Sequence, residues 1–141
     1  MNTLSKHLLA IAVVAFTLPS CSKYEDGPEI SLLSKKNRVT NSWEVEKATE
    51  DGNDVTSSYE QFELEIRDDN STTLAARYSS GDATIVFETD GTWEFQNNKA
   101  DLKLDYENDD ADRTYIILRL TKDELWLLNK GDDVELHLRE M

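Results

Sequence analysis

Few side chains in this sequence have the chemistry to act on another molecule. Cys21 is the single thiol. Nucleophilic work by a cysteine or a serine needs an adjacent base held by a third group, and no Gly-x-Ser-x-Gly elbow occurs. His137 is the only histidine after His7. It falls on the wet face of the last strand pattern, where a solvated imidazole is expected. Carboxylates abound, but general acid work needs one of them raised in pKa by burial, and the inward positions of the strand pattern hold no acid. Glu107-Asn108-Asp109-Asp110-Ala111-Asp112 is the densest set of oxygen ligands, and calcium suits such chemistry. It lacks EF-hand spacing and the central glycine, so an acidic hairpin loop is expected there. Neither enzymatic activity, a metal nor a cofactor is expected.

The surroundings of Cys21 give it a different use. Lys6 and His7 make a weakly basic start, and Leu8 to Leu18 is almost uninterruptedly apolar. That core is too short to span a bilayer as a helix and fits a secretory signal. Leu18-Pro19-Ser20-Cys21 resembles the lipobox of bacterial lipoproteins. The resemblance implies cleavage before Cys21, a lipid on its sulfur and acylation of the new amine. The plainer alternative is an ordinary signal peptide with a cysteine near its cleavage site. Ser22 stands where many inner-membrane lipoproteins carry aspartate. Lys23, Glu25 and Asp26 loosely resemble the charged tract that sends some lipoproteins to the cell surface. The expected location is therefore the outer membrane, on its periplasmic face or at the surface.

Three segments follow: a lipoprotein signal peptide over 1–20, lipidated Cys21 with a flexible tether over 21–29, and a barrel domain over 30–141. The tether contains Gly27 and Pro28 and has a reach on the order of 15–20 Å as a random coil. Loss of Lys6 with the leader leaves 14 of the 15 cations against all 29 acids, a net charge of −15. Such a chain is repelled by nucleic acid and by anionic head groups. With no second cysteine, stability must come from burial of apolar surface.

What positions these residues is a chain of strands. Ile30 to Val39 reads as a short helix, with Lys35, Lys36 and Arg38 near its negative pole. From Trp43 onward the sequence alternates with period two. Phe62, Leu64 and Ile66 share one face, as do Leu74, Ala76 and Tyr78, then Leu102, Leu104 and Tyr106, then Val134, Leu136 and Leu138. Residues paired across a hairpin must share a face. Tyr78 with Ile85 therefore implies an even loop, met by Gly81-Asp82 as a type II′ turn. Phe87 with Trp93 implies an odd one, met by Thr89-Asp90-Gly91 with Gly91 left-handed. Tyr115 to Leu120 and Leu125 to Leu128 are apolar at consecutive positions. Either the helix covers one of them or an outer patch is left for a partner. The expected fold is all-β, an antiparallel up-and-down meander of about eight to nine strands closing into a barrel.

Over residues 31–141 this arrangement resembles the lipocalin-like domains of small Gram-negative lipoproteins. Asn41-Ser42-Trp43 sits where lipocalins place Gly-x-Trp, and Phe87 to Trp93 resembles their apolar, Asp-Gly-Thr, aromatic hairpin. Arg119 or Arg139 would be the arginine laid across the first-strand tryptophan. The resemblance implies a barrel whose inward aromatics Trp43, Phe62, Tyr78, Phe87, Trp93, Phe95, Tyr106 and Trp126 either line a site for a small apolar or amphipathic ligand or simply fill the interior. Trp93 is placed near the rim. The expected function is a lipid-anchored carrier in the cell envelope. The alternative is a solid accessory module that contacts an envelope protein.

Overall fold

Alternation over most of the chain leaves each strand one apolar face to bury, and closure of the sheet buries all of them at once. The computed structural model describes residues 33–59 and 61–141, the side chains of 78–80 excepted. The leader 1–20, Cys21 and the tether 21–29 lie outside the described residues. The element order is α1 (Lys35–Val39), β1 (Asn41–Glu50), β2 (Asn53–Asp54), a 3-10 turn (Thr56–Tyr59), β3 (Gln61–Ile66), β4 (Ser71–Ser80), β5 (Ala83–Gln96), β6 (Asp101–Tyr106), a second 3-10 turn (Asp109–Ala111), β7 (Arg113–Leu120), β8 (Glu124–Asn129) and β9 (Val134–Glu140). Each strand from β3 to β9 pairs with the next, and β9 returns to β1. The result is a closed antiparallel barrel of eight strands. The two-residue β2 adds a ninth as a flap on β1.

Phe62, Leu64 and Ile66 point inward while Gln61, Glu63 and Glu65 face water, and β9 repeats this with Val134, Leu136 and Leu138 inside. Leu102, Leu120, Leu125, Leu127 and Leu138 are completely buried. Burial of each such side chain is worth roughly 1.5–3 kcal/mol.

The Gly81-Asp82 turn is present. Tyr78, Ser79 and Ser80 pair with Ile85, Thr84 and Ala83, and Gly81 has φ +60°. The expected loop at Thr89-Asp90-Gly91 is absent. β5 runs straight through it, with Thr89, Asp90 and Gly91 paired to Leu74, Thr73 and Thr72. Parity fits both outcomes, because an odd loop and an unbroken strand alike put Phe87 and Trp93 on one face. The hairpin that does follow β5 turns through Asn97, Asn98 and Lys99, all with positive φ. Gly91 is needed for another reason. A Cβ there would lie 2.1 Å from the Asp105 carbonyl oxygen and 2.7 Å from the Tyr106 Cα on β6.

The helix is a single turn. The Ser34 hydroxyl accepts from the Asn37 N–H at 3.1 Å, and the Arg38 guanidinium donates to the Leu120 carbonyl at 2.8 Å. It therefore closes the barrel end where β1 begins and β7 finishes.

Candidate functional site

The two ends of the barrel differ. At the helix end, Trp43 is fully buried and its indole N–H donates to the Val39 carbonyl at 2.9 Å. Trp93 is 3% exposed and donates to the Arg67 carbonyl at 2.7 Å. The Lys36 ammonium stands 5.8 Å from the centre of its ring, and Phe95 meets it edge-on at 5.3 Å. Tryptophan fills this end and satisfies its own N–H, as a structural plug does. Trp93 is thus no rim residue. Its rim placement depended on a turn at Thr89 to Gly91, and β5 has none.

At the other end a cavity of about 260 Å³ opens, lined by Phe62, Leu74, Ile85, Phe87, Leu104, Tyr106 and Tyr115, with Asn108, Asp110 and Arg113 at its polar edge. A smaller neighbour of about 230 Å³ shares Phe62, Arg113 and Tyr115 and reaches Tyr59, Asn129 and Asp132. Strand alternation explains the lining. Phe62 lies one step from the mouth end of β3, Leu74 lies deeper on β4 as the partner of inward Leu64, and Leu104 and Tyr106 occupy the mouth half of β6.

The acidic segment 107–112 becomes the roof. Its second 3-10 turn is capped by the Asn108 side chain, which accepts from the Asp110 N–H at 3.2 Å. The Asp112 carboxylate accepts from the Tyr106 N–H at 2.6 Å. Ala111 is thereby pressed into the barrel, 6% exposed. Arg113 holds the turn through the carbonyls of Asp110 and Asp112, at 2.9 and 2.7 Å. The oxygens considered for calcium thus serve the backbone in part, and among the described residues no group of three or more His, Cys, Asp or Glu is arranged around a metal position.

The mouth is apolar with a polar lip. Burial, with the negative charges of Asp132 and Glu50, pushes the Tyr59 phenol above its ordinary value while Arg113 opposes them. The phenol stays neutral at physiological pH and is able to donate a hydrogen bond. This arrangement suits capture of an apolar group with a polar end.

Of the aromatics singled out from sequence, Phe62, Phe87 and Tyr106 meet at the cavity, while Trp43, Trp93 and Phe95 lie elsewhere. Tyr78 pairs with Ile85 near the same mouth. Trp126 is on the opposite side of the wall from the one expected. Leu125 and Leu127 take the inward positions, and Trp126 stacks outside on His137, ring centres 4.0 Å apart. His137 is accordingly half-buried rather than solvated. Neither arginine proposed for the first-strand tryptophan is on its side of the wall: Arg119 lies over Trp126 at 5.3 Å and Arg139 pairs with Glu44 at 2.8 Å. Tyr115 and Arg113 were missed. Their signal was the register of β7 against β6, where Tyr115 pairs with inward Leu102.

The model of the lipocalin-like domain matches residues 39–127, more than half of the chain. The chain belongs to the lipocalin-like domain family. The match runs from the Val39 that caps the closed end into β8, so it spans both plug and cavity. No curated protein and no solved structure matched. A lipocalin-like barrel is typically a binding fold, and the mouth cavity is where this one has room.

Proposed function

We propose that this lipocalin-like protein is a lipid-anchored envelope carrier that holds a small apolar or amphipathic molecule in the barrel mouth, without chemistry. The cavity lined by Phe62, Phe87, Tyr106 and Tyr115 carries this reading. At about 260 Å³ it exceeds the roughly 150 Å³ that accommodates benzene and falls just below the roughly 300–1,000 Å³ usual for drug-sized ligands. It suits a two-ring compound or a short acyl chain whose polar end meets Arg113, Asn108 or Tyr59. Anchoring rests on Leu18 to Cys21, and the outer-membrane location on Ser22. Among the described residues no helix is long and apolar enough to cross a membrane.

Two experiments test the two halves. A thermal-shift panel of two-ring compounds and medium-chain fatty acids should show saturable stabilisation, and a panel with none contradicts the carrier. A fatty-acid probe should label the protein but not Cys21→Ala. Equal labelling contradicts the anchor.

A further inference from the structure

The β4–β5 hairpin extends past its neighbours. β3 pairs with β4 only as far as Arg77, and β6 pairs with β5 only up to Gly91. The last backbone link on that side is the Glu107 N–H donating to the Asp90 carbonyl at 2.8 Å, and beyond it the Asn108 N–H reaches only the Thr89 hydroxyl, at 3.2 Å. In an antiparallel ladder the N–H and C=O of one residue point the same way and alternate along the strand. Asp90 faces β6, so Val86 and Glu88 face it too, and among the described residues no strand meets them there. This is an open sheet edge in an otherwise closed barrel. Ile85 and Val86 on it are 61% and 62% exposed. A β-rich apolar edge of this kind is a template for strand addition.

We infer that the β5 edge at Val86 and Glu88 docks an extended peptide segment in which apolar and basic residues alternate. Ile85 and Phe87 lie on the inner face and line the cavity, so residues of the added strand on that face meet apolar surface. Val86 and Glu88 lie on the outer face. Exposed Asp82, Glu88, Glu107, Asp109 and Asp110 flank the slot, against Arg77 opposite Val86 on β4. The outer residues of the added strand therefore meet a negative field. The backbone supplies affinity and the alternate side chains supply selection. A second copy fits less well. Two-fold pairing centred on Val86 sets Asp82 of each copy opposite Asp90 of the other, between chains of formal charge −14. The inference is independent of any ligand in the cavity.

The test uses a blocked peptide of alternating Lys and Val, a Glu–Val counterpart, and fluorescence anisotropy with the domain. The Lys–Val peptide should bind saturably and the Glu–Val peptide at least about tenfold more weakly. Val86→Pro removes an amide that faces the open side, not β4, so the fold should survive, as circular dichroism will show. It should weaken binding about tenfold or more. Glu88→Lys leaves the edge intact and should reduce the preference for the basic peptide. No binding, equal binding of both peptides, or either variant leaving the affinity for Lys–Val unchanged overturns the inference. So does a dimer in sedimentation that Val86→Pro dissolves, since the occupant is then a second copy.

Discussion

Trp126 and His137 lie face to face on the outer wall of the barrel, planes 3° from parallel. They are direct cross-strand partners on β8 and β9, and Arg119, the β7 partner of Trp126, covers the same indole. Glu135 holds the imidazole at 2.7 Å, and Glu124 holds Arg119 at 2.8 Å. The row ties three strands together from outside. Trp126→Ala should therefore cost about 1–2 kcal/mol in urea unfolding and leave occupancy of the mouth unchanged. A loss of ligand affinity with stability intact would place Trp126 in the site instead.

Gly91 separates two accounts of one glycine. If a left-handed turn required it, alanine would be strained by its backbone conformation. The structure shows extended backbone and a collision of any Cβ with the Asp105 carbonyl. Gly91→Ala should then cost about 1–3 kcal/mol, with near-equal loss for Gly91→Val. Gly81, at φ +60° and with open space around its Cβ position, should lose stability on substitution through its backbone conformation alone, less with asparagine than with valine. Urea midpoints of the variants check both, and a neutral Gly91→Ala contradicts the close approach.

The same pair of residues shows what was legible in the sequence. Among the described residues Asp-Gly occurs at Asp51-Gly52 and at Asp90-Gly91. Only the first is a turn, with both φ positive at 50° and 82° and Glu50 paired with Asn53. The second is held straight by β4 on one side and β6 on the other, long-range pairings that a local signal does not contain. Alternation told in from out wherever one face was polar, as in β3 and β9. It failed at Trp126, where both faces are apolar and only the pairing of Leu125 with Leu138 decides. It also cannot tell one barrel end from the other, so the sequence places Trp93 near the rim and beside Phe87 as candidate lining. One became plug and the other lining.

Trp93→Ala should cost about 3–5 kcal/mol of stability, as a buried aromatic does, because it empties the plug and removes the shorter of the two hydrogen bonds to the Arg67 carbonyl, which also accepts from the Asn70 N–H. Phe87 is only partly buried, so Phe87→Ala should cost less and should weaken ligand binding. Chemical denaturation beside a binding titration separates them, and the reverse ranking contradicts the assignment of the two ends.

Stability should respond to pH in opposed ways at the two ends of the barrel, at Asp51 between β1 and β2 and at Asp69 between β3 and β4. A hydrogen bond to the Asp133 carboxyl, and then its charge, hold the Asp51 carboxyl above its ordinary value. The folded state prefers Asp51 protonated, so the contribution is fully present in acid and is lost as pH rises through the raised value. Asp133→Asn should raise the Tm at neutral pH, and the gain should fade in acid. Asp69 behaves oppositely. Hydrogen bonds from the Ser71 hydroxyl and N–H depress it, so its contribution is present at neutral pH and is lost as pH falls through the depressed value. Asp69→Asn should lower the Tm at neutral pH only. Thermal melts across the acid range check both signs.

The central claim is that one end of this lipocalin-like barrel is a binding site and the other is not. Its most direct test is an NMR titration of the domain with a two-ring apolar probe. The three indole N–H groups serve as built-in controls, Trp43 and Trp93 at the plug and Trp126 on the outer wall. A mouth site predicts saturable shifts of the Phe62, Phe87, Tyr106 and Tyr115 ring signals, with the three indoles nearly still. Shifts that never saturate, or indoles that move as far as the mouth aromatics, would contradict it.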